Sequence, residues 1–415
     1  MERTDVVVIG AGQAGLAMSY CLGARGIDHV VLERGRVAER WRSERWDSLR
    51  LLTPNWQSRL PGFSYRGDDP DGFMRSAELV SYLERYARSF SAPVRDETAV
   101  RSVEREGARF VVRTDGGTIA ARSVVIATGA CDVPSIPSMA ARLSPSLDQI
   151  VPARYRRPDQ LRDGGVLVVG ASATGVQIAH EVHRSGRPVT LAVGRHTRLP
   201  RRYRGRDIFD WLERTGALAE SADEVYDLEA SRRQPSLQLV GRPDHRSIDL
   251  GVLQAEGVRL VGRGLDADGT RVRLADDLPY TVAASERKLR RLLERIDHYV
   301  MVAGLGADVA DPEPLAPIAP APAPDALDLE AAGIRTVVWA TGFRREYPWL
   351  KVRVLDSRGE LRHRGGVTPV PGLYAIGLPF MRRRSSTFID GVGADAEALA
   401  SEIASRLSTL CHAAA

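Results

Sequence analysis

The sequence predicts an α/β protein with two Rossmann-like dinucleotide-binding domains, the second of which is inserted into a discontinuous first domain. Three observations support this fold class. A glycine pattern that joins a buried strand to a helix occurs at residues 10–15 and returns, with one change, at residues 170–175. Proline-rich stretches at 134–158 and 311–325 flank the second copy, and such stretches favour connectors over helices or central strands.

The first copy, Gly10-x-Gly12-x-x-Gly15, follows the β-branched run 6–9, which is typical of a buried parallel strand. Gly10 permits the tight turn, Gly12 lets a pyrophosphate approach the backbone, and Gly15 lets the helix pack on the strand. The free N–H groups at the start of that helix would hold phosphate. The next strand ends in Glu33, roughly 20 residues past the loop, where a ribose hydroxyl needs an acceptor.

The second copy carries Ser172 at the middle glycine position, and the strand after it ends in Arg195-His196 instead of an acid. An acid pairs with a free 2′-hydroxyl, whereas an arginine accommodates a 2′-phosphate. The first site should therefore take the adenosine of FAD, and the second should take NADPH in preference to NADH. A cluster of arginines supports this prediction by its phosphate-binding geometry: Arg195, Arg198, Arg201, Arg202, Arg204 and Arg206. Of these we expect Arg195, and with it Arg201 or Arg202, to contact phosphate.

Composition argues against several classes of protein. The chain has 415 residues, 43% of them apolar, which is enough for two or three domains with full-size cores. It lacks an unbroken run of about 18 apolar residues and enters a strand at once, so we expect a cytoplasmic protein without a signal peptide or a membrane partner. The three cysteines form no C-x-x-C pair, which argues against a metal site or a dithiol redox centre. Basic and acidic residues, 58 and 53, are interspersed, so nucleic-acid binding is not expected.

Three tryptophans, Trp41, Trp46 and Trp56, lie in one irregular loop bounded by proline. Aromatic side chains in such a loop suggest a wall against a flat group, although packing onto the protein core explains any one of them equally well.

The remaining patterns complete the domain plan. Helices are predicted over 76–90, with Ser76 as the cap, and over 284–302 and 391–407; strands are predicted over 98–104, 109–114 and 118–121. Two further strands end in Ala-Thr-Gly, at 127–129 and 340–342. We therefore predict a first FAD-binding segment at 1–163, an NADPH-binding domain at 164–325 and a second FAD-binding segment at 326–415.

The whole chain resembles the flavin-containing monooxygenase family of class B flavoprotein monooxygenases. It is most similar to a bacterial branch that is related to the plant auxin-forming indole-pyruvate monooxygenases and carries the label of cation-transport-associated flavoproteins. The resemblance rests on both glycine patterns, on Glu33 and on three further stretches: 45–54, Ala340-Thr341-Gly342-Phe343 and Phe388-Ile389-Asp390-Gly391-Val392. Residues 147–155 depart from the family pattern, since they lack its Phe-x-Gly-x-x-x-His signature.

The resemblance implies two sets of cofactor-binding residues. Those for FAD are Gly10, Gly12, Gln13, Ala14, Gly15, Glu33, Arg34, Arg40, Trp41, Trp46, Thr53, Val100, Ala127, Thr128, Gly129, Ile389 and Asp390. Those for NADPH are Gly170, Ser172, Ala173, Thr174, Gly175, Gln177, Arg195, His196, Arg201, Arg202, Thr341 and Gly342. Candidates beside the flavin are Trp46, Leu52, Asn55 and Ser385; Leu52 stands where amine-oxidising members carry an asparagine.

The resemblance also implies an FAD- and NADPH-dependent monooxygenase that oxidises a small organic substrate with molecular oxygen through a flavin C4a-hydroperoxide. The cofactor carries this chemistry, so the protein needs to exclude water rather than supply a nucleophile. Two alternatives remain: an NADPH-dependent flavoprotein reductase without productive oxygenation, and a non-enzymatic redox-sensing accessory of ion transport. The substrate, the choice among N-, S- and C-oxygenation and Baeyer–Villiger chemistry, and a homodimeric state are left open.

Overall fold

The structure is a computed structural model that describes residues 1–322 and 324–412, with side chains to Leu410. Up to residue 134 the strands are β1 (Glu2–Ile9), β2 (His29–Leu32), β3 (Arg59–Leu60), β4 (Phe63–Ser64), β5 (Val94–Arg95), β6 (Val100–Glu106), β7 (Arg109–Thr114), β8 (Gly117–Ile126) and β9 (Val133–Pro134). The helices of this part are α1 (Gln13–Gly23), α2 (Glu39–Ser43) and α3 (Ser76–Ser89), with a 3₁₀ turn at Asn55–Gln57.

The rest of the chain supplies the remaining elements. Its strands are β10 (Asp148–Ile150), β11 (Gly165–Val169), β12 (Val189–Ala192), β13 (Thr197–Arg198), β14 (Arg202–Tyr203), β15 (Arg206–Asp207), β16 (Leu237–Gln238), β17 (Arg259–Val261), β18 (Gly264–Asp268), β19 (Arg271–Leu274), β20 (Ala326–Asp328), β21 (Ile334–Trp339), β22 (Phe343–Arg344) and β23 (Leu373–Ala375). Its helices are α4 (Ala173–Arg184), α5 (Ile208–Arg214), α6 (Leu228–Arg232), α7 (Leu250–Ala255), α8 (Leu278–Val302) and α9 (Ile389–His412), with 3₁₀ turns at Ser138–Arg142 and Pro158–Gln160.

The first sheet has the strand order β5-β2-β1-β8-β7-β6, and β23 pairs with β8 as well. Its core strand β1 lies in parallel between β2 and β8, with Val7 opposite Val30 and Val124. The side chains of Val6, Val7 and Val8 are fully buried, as a strand covered on both faces requires. The last part of the chain returns to this sheet through β23 and through α9, which packs on α1.

The second sheet has the order β10-β21-β11-β12-β17, and all its described pairings are parallel. Together the two sheets confirm the predicted α/β class with two Rossmann-like units. β10 and β21 belong to the second sheet although they lie outside 164–325, because β21 pairs with β11 and β10 pairs with β21. The second unit therefore draws strands from both sides of the predicted boundaries, which themselves stay a prediction.

Two segments that contribute no strand to the two large sheets, residues 197–255 and 278–322, are together called the cap. Its first segment interrupts the second sheet between β12 and β17, and its second segment lies between β19 and β20. Apolar side chains of the cap form one cluster with Leu52, Trp56 and Phe388, which belong to the unit of the first sheet. The cap thus packs against the loop that was predicted to form a wall.

Several predicted elements differ in detail from the structure. α3 occupies the predicted helix, but its cap is Arg75, whose N–H donates to the Glu78 carboxylate at 2.6 Å. α8 begins at Leu278, before the predicted start, because Pro279 is tolerated in a first turn. Residues 118–121 are part of the longer strand β8. α9 extends beyond the predicted 391–407 at both ends.

The proline-rich stretch 311–325 has no helix or strand in its described part, as predicted. It does not hang free, because the Gln254 amide exchanges two hydrogen bonds with Ala319 at 2.7 and 2.9 Å. Ala323 lies outside the described residues. Among the helices of the described chain, none combines the length and apolar character needed to cross a membrane.

Candidate functional site

The first glycine loop has the shape that its sequence predicts. Gly10 has φ +108°, a conformation that favours glycine. A Cβ on Gly15 would lie 1.8 Å from the Gly10 carbonyl oxygen, so α1 can begin this close only with glycine at that position. No described side chain caps α1, which leaves the N–H groups of its first turn available to an anion. Gly12 has open space where a Cβ would point, so the loop fits a pyrophosphate.

Glu33 follows β2 and lies at this loop. Its Oε2 accepts a hydrogen bond from the Ala11 N–H at 2.8 Å, and its Oε1 accepts one from the Gly35 N–H at 3.1 Å. A carboxylate offers about four lone-pair sites, so two backbone donors leave room for a ribose hydroxyl. The loop and the acid are thus one hydrogen-bonded unit.

Several of the other predicted FAD residues lie beside the loop. Ala127 directly follows β8, and a Cβ on Gly10 would lie 2.7 Å from the Ala127 carbonyl oxygen. Arg40 donates to the Thr128 carbonyl at 2.9 Å and forms an ion pair with Asp132 at 2.7 Å. Trp41 Nε1 donates to Gln13 Oε1 at 3.5 Å, and a Cβ on Gly377 would lie 2.7 Å from the Cβ of Ala14. Gly129 has φ +77°, Val100 is the first residue of β6, and Arg34 is largely exposed beside Glu44.

Trp46 lies in the core of the second unit. Its side chain is 5% exposed and packs with Tyr155 and Leu161. Arg156 holds this part of the loop in place, because its guanidinium donates to the carbonyls of Ser43 and Arg45. Apolar burial against the second unit therefore decides the orientation of the ring.

Both ends of the Asn55 side-chain amide are hydrogen-bonded to the backbone. Its Nδ2 donates to the Asp69 carbonyl at 2.9 Å, and its Oδ1 accepts from the Met74 N–H at 2.8 Å. Both ends of the amide are therefore used to close the loop 69–74. Leu52 and Thr53 are half-buried, and the Leu52 carbonyl accepts a hydrogen bond from the cap residue Arg201 at 2.6 Å.

The start of α9 contributes Ile389 and Asp390, and Asp390 is tied to the cap. Arg59 donates to the Asp390 carboxylate at 2.7 Å and to Glu213 of α5 at 2.9 Å. Its hydrogen bond to Asp390 raises the pKa of Arg59 above its usual value. Ser385 is buried, and its N–H donates to the carbonyl of the cap residue Leu218 at 3.1 Å. These contacts join the cap to the end of the chain.

The second glycine loop repeats the backbone of the first. Gly170 has φ +107°, and a Cβ on Gly175 would lie 1.8 Å from the Gly170 carbonyl oxygen. Ser172 has φ −82° and ψ −173°, the same values as Gly12. No side chain in the described chain caps α4, whose first residues are Ala173 and Thr174. This loop also fits a pyrophosphate, with the Ser172 hydroxyl added.

The arginine cluster divides into free and committed side chains. Arg195 is exposed and has no hydrogen-bond or ion-pair partner among the described residues, and Arg202 is exposed with one bond to the Gly205 carbonyl. Three others are committed: Arg198 to Asp249 and Glu286, Arg204 to Asp297, and Arg206 to Asp210. Of these five, Arg195 and Arg202 are the exposed members without an ion-pair partner among the described residues, so they are the most available to a 2′-phosphate.

Arg201, the sixth member of the cluster, lies in the protein core. Its side chain is fully buried between the rings of Phe73 and Phe209, and its Nη2 lies 2.6 Å from Asp207. Burial lowers the pKa of Arg201 and raises the pKa of Asp207. Arg201 Nη1 donates to the Leu52 carbonyl and so holds the cap against Leu52, while Nη2 is engaged by Asp207.

The other predicted NADPH residues border the second loop. His196 is buried, its Nδ1 lies 3.0 Å from the Gly194 carbonyl, and burial lowers its pKa. Gln177 Nε2 donates to the Leu239 carbonyl of the cap at 2.8 Å. Thr341 Oγ1 donates to the Ser135 carbonyl at 2.5 Å, and Gly342 has φ +90°. The Ala-Thr-Gly sequence at 127–129 precedes β9, and the one at 340–342 precedes β22. These two strands pair antiparallel and so connect the two units.

Sequence reasoning missed several residues that shape the site. Arg156 orients the loop that carries Trp46, Arg59 connects Asp390 to the cap, and Gln238 donates from β16 to the Ala171 carbonyl in the second glycine loop. These contacts join residues that lie 67 to 331 positions apart in the chain, and no local pattern could have signalled them.

Comparison with known proteins places the chain among flavin and pyridine-nucleotide enzymes. Residues 7–208 match the family model described as pyridine nucleotide-disulphide oxidoreductase. The chain is 35% identical over 403 residues to a Geobacillus kaustophilus protein named uncharacterized oxidoreductase CzcO-like, covering 96% of this chain and 98% of the relative. It is 30% identical over 191 residues to the indole-3-pyruvate monooxygenase YUCCA1 of Oryza sativa, covering 45% of this chain and 47% of the rice protein.

A solved structure supports the fold over the full length. The flavin-containing monooxygenase from Stenotrophomonas maltophilia matches with a TM-score of 0.68 at 21% sequence identity, covering 98% of this chain and 99% of that chain. At this identity the match concerns the fold, which agrees with the two-sheet arrangement described above.

Proposed function

We propose a function from the premise that this chain belongs to the flavin-containing monooxygenase-like family, in the branch of the CzcO-like oxidoreductases. The protein is a flavoprotein oxidoreductase that uses FAD and a pyridine nucleotide. Our finer proposal is that it takes reducing equivalents from NADPH and oxygenates a small organic molecule, through the flavin C4a-hydroperoxide that the family resemblance implies. Cytoplasmic location and a homodimeric state stay predictions.

One observation carries the proposal. The two glycine loops have equal backbone geometry, but the side chains that follow the next strand in each unit carry opposite charges. The first loop is bonded to Glu33, whereas the second is followed by the exposed Arg195. An acid suits a free ribose hydroxyl, and an arginine suits a 2′-phosphate. We therefore assign FAD to the first loop and NADPH to the second.

The chain's own residues supply binding and position. The N-terminus of α1 would hold the FAD pyrophosphate and Glu33 its ribose, while the N-terminus of α4, Ser172 and Arg195 would hold the phosphates of NADPH. When bound, FAD supplies hydride acceptance and oxygen activation. Thr128 and Arg40, which are hydrogen-bonded to each other, would border the FAD loop from below.

The cap would exclude water from the reacting centre. It is fixed by Arg201 to loop 41–56, which carries the three tryptophans, and by Arg59 to the start of α9, and its apolar cluster includes Leu52 and Phe388. A dry environment of this kind is what an oxygenating flavoprotein requires, because water promotes the loss of oxygen as peroxide.

A second candidate function is that of an NADPH-dependent reductase without productive oxygenation. Two side chains of loop 41–56 favour it. Leu52 offers no polar group where amine-oxidising relatives carry an asparagine, and the Asn55 amide is consumed by loop 69–74. In this case the reduced flavin would pass its electrons to another acceptor.

Rapid mixing of the anaerobically NADPH-reduced protein with oxygenated buffer distinguishes the two candidates. The monooxygenase proposal predicts a transient absorbance band of an oxygen adduct, and oxidised product when indole-3-pyruvate or thioanisole is supplied. Immediate return to oxidised flavin with stoichiometric hydrogen peroxide, unchanged by either compound, would favour the reductase. A reduced flavin that persists in oxygen would contradict the monooxygenase but not a reductase with another acceptor, whereas a flavin that NADPH does not reduce would contradict both.

A further inference from the structure

Gln238 has one end of its side-chain amide satisfied and the other end free. The residue lies in β16 of the cap, and its side chain is fully buried. Its Nε2 donates to the carbonyl of Ala171, whereas its Oε1 has no hydrogen-bond partner in the described part of the chain. The Ala171 carbonyl fixes the orientation of the amide, because the flipped amide would place two acceptor oxygens against each other.

This free acceptor lies at the second glycine loop, on the side that leads to the first unit. Ala171 stands between Gly170 and Ser172, so Gln238 borders the loop that fits a pyrophosphate. Three residues further along, a Cβ on Gly241 would lie only 2.2 Å from the Leu51 carbonyl oxygen. Three residues of extended chain reach at most about 11 Å. The segment from Gln238 to Gly241 therefore connects the second glycine loop to loop 41–56, to which Leu51 belongs.

A buried acceptor without a donor is costly, so the chemistry of the free oxygen indicates what it would bind. Phosphate oxygens only accept hydrogen bonds, and the pyrophosphate itself therefore cannot satisfy Gln238 Oε1. Of the donors on NADPH, the hydroxyls of a ribose are attached directly beside the pyrophosphate. The ribose on the side of the first unit carries the nicotinamide, because hydride must reach the flavin.

We propose that Gln238 binds the nicotinamide ribose of NADPH, with Oε1 accepting a hydrogen bond from a ribose hydroxyl while Nε2 stays on the Ala171 carbonyl. This inference rests on the proposed use of NADPH. It assigns the two halves of the dinucleotide to different parts of the chain: Arg195 binds the adenine half with its 2′-phosphate, and Gln238 binds the nicotinamide half.

The test compares two ligands that differ by the nicotinamide half. Calorimetry on the FAD-loaded protein would measure the affinity for NADP⁺ and for adenosine 2′,5′-bisphosphate, which retains the 2′-phosphate but lacks the nicotinamide ribose. Gln238→Met keeps the length and packing of the side chain and removes its polar atoms. We expect it to weaken NADP⁺ about tenfold and to leave adenosine 2′,5′-bisphosphate within about twofold.

A matched control separates ligand binding from bracing of the strand. Ser285 of α8 is buried and accepts a hydrogen bond from the N–H of Arg198 in β13, the strand paired with β16. Ser285→Ala should loosen the same small sheet without changing the ratio of the two affinities. If Gln238→Met fails to retain FAD, the milder Gln238→Asn serves instead, with the same direction and a smaller loss.

The outcomes distinguish this inference from the function on which it rests. Equal weakening of both ligands, or undiminished NADP⁺ binding, would overturn the assignment of Gln238 while NADPH remained the reductant. If the unmodified protein bound neither ligand, the proposed use of NADPH would fall, and the role of Gln238 with it.

Discussion

Gly12 and Ser172, the middle residues of the two glycine loops, share φ −82° and ψ −173°, and the loops begin at glycines with φ +108° and +107°. In both loops a Cβ on the last glycine would lie 1.8 Å from the first carbonyl oxygen. What differs is the neighbouring side chains: Glu33 is hydrogen-bonded into the first loop, whereas the exposed Arg195, which follows the strand after the second loop, has no partner in the described part of the chain. The backbone therefore sets the class of ligand, and the flanking side chains select among its members.

Breaking each loop in turn should give the largest effects. In Gly15→Ala and Gly175→Ala the new Cβ has no room, so the helix must move away from its strand. We expect Gly15→Ala to lose FAD entirely, and Gly175→Ala to keep FAD while losing reduction by NADPH. Visible absorbance and anaerobic flavin reduction would measure this. Gly306→Ala, whose new Cβ meets no described atom within 4 Å, is the control, and a Gly15→Ala protein that stays yellow would contradict the comparison.

Arg201→Met tests whether Arg201 stabilises the fold instead of binding the 2′-phosphate. Removing the guanidinium leaves the Asp207 carboxylate buried without its partner, so the free energy of unfolding should fall by about 3–5 kcal/mol. Chemical denaturation would measure the loss. The preference for NADPH over NADH should be unchanged, and a loss of that preference would restore Arg201 as a phosphate ligand.

Arg195→Ala should remove the feature that distinguishes the second loop from the first. We expect NADPH affinity to fall about tenfold or more, with NADH little affected, because a charge-assisted contact to the 2′-phosphate is lost. Arg202→Ala, a second exposed arginine with one bond to the Gly205 carbonyl, should have a smaller effect. Equal losses for NADPH and NADH in Arg195→Ala would refute the 2′-phosphate role.

Gly12→Ser copies the second loop into the first and should have the smallest effect. The backbone torsions already suit serine, and a Cβ at this position meets no described atom within 4 Å. The free energy of unfolding should change by less than about 0.5 kcal/mol. FAD should be retained with a change in affinity of a few fold, measured by titrating the apoprotein. Complete loss of FAD would mean that the two pyrophosphates approach their loops differently.

Features that are determined by residues close together in the sequence can be predicted from it, whereas features that depend on distant residues cannot. The glycine loops and the helices that follow them are local, so their spacing was sufficient to predict the fold class. The positions of Trp46, Asn55 and Arg201 cannot be predicted locally, because burial and other partners decide them: Tyr155 for the first, loop 69–74 for the second and Asp207 for the third. Types of residue in a loop do not reveal which side of the loop each one faces.

The domain plan shows the same distinction. Proline-rich connectors suggest boundaries at 163 and 325, but β21 pairs with β11 and β10 pairs with β21, so the second sheet includes strands from outside both. Strand pairing across more than a hundred residues leaves no local mark in the sequence. The cap, which has no counterpart in the sequence prediction, arises from packing between segments on either side of β17–β19.

The most direct test of two dinucleotide sites in one chain is an anaerobic titration of the purified, FAD-supplemented protein with NADPH and with NADH, followed by visible absorbance. We predict a yellow protein with one FAD per chain, bleached at a lower concentration of NADPH than of NADH. A colourless protein that takes up no FAD would contradict the assignment of the first glycine loop and the function proposed from it.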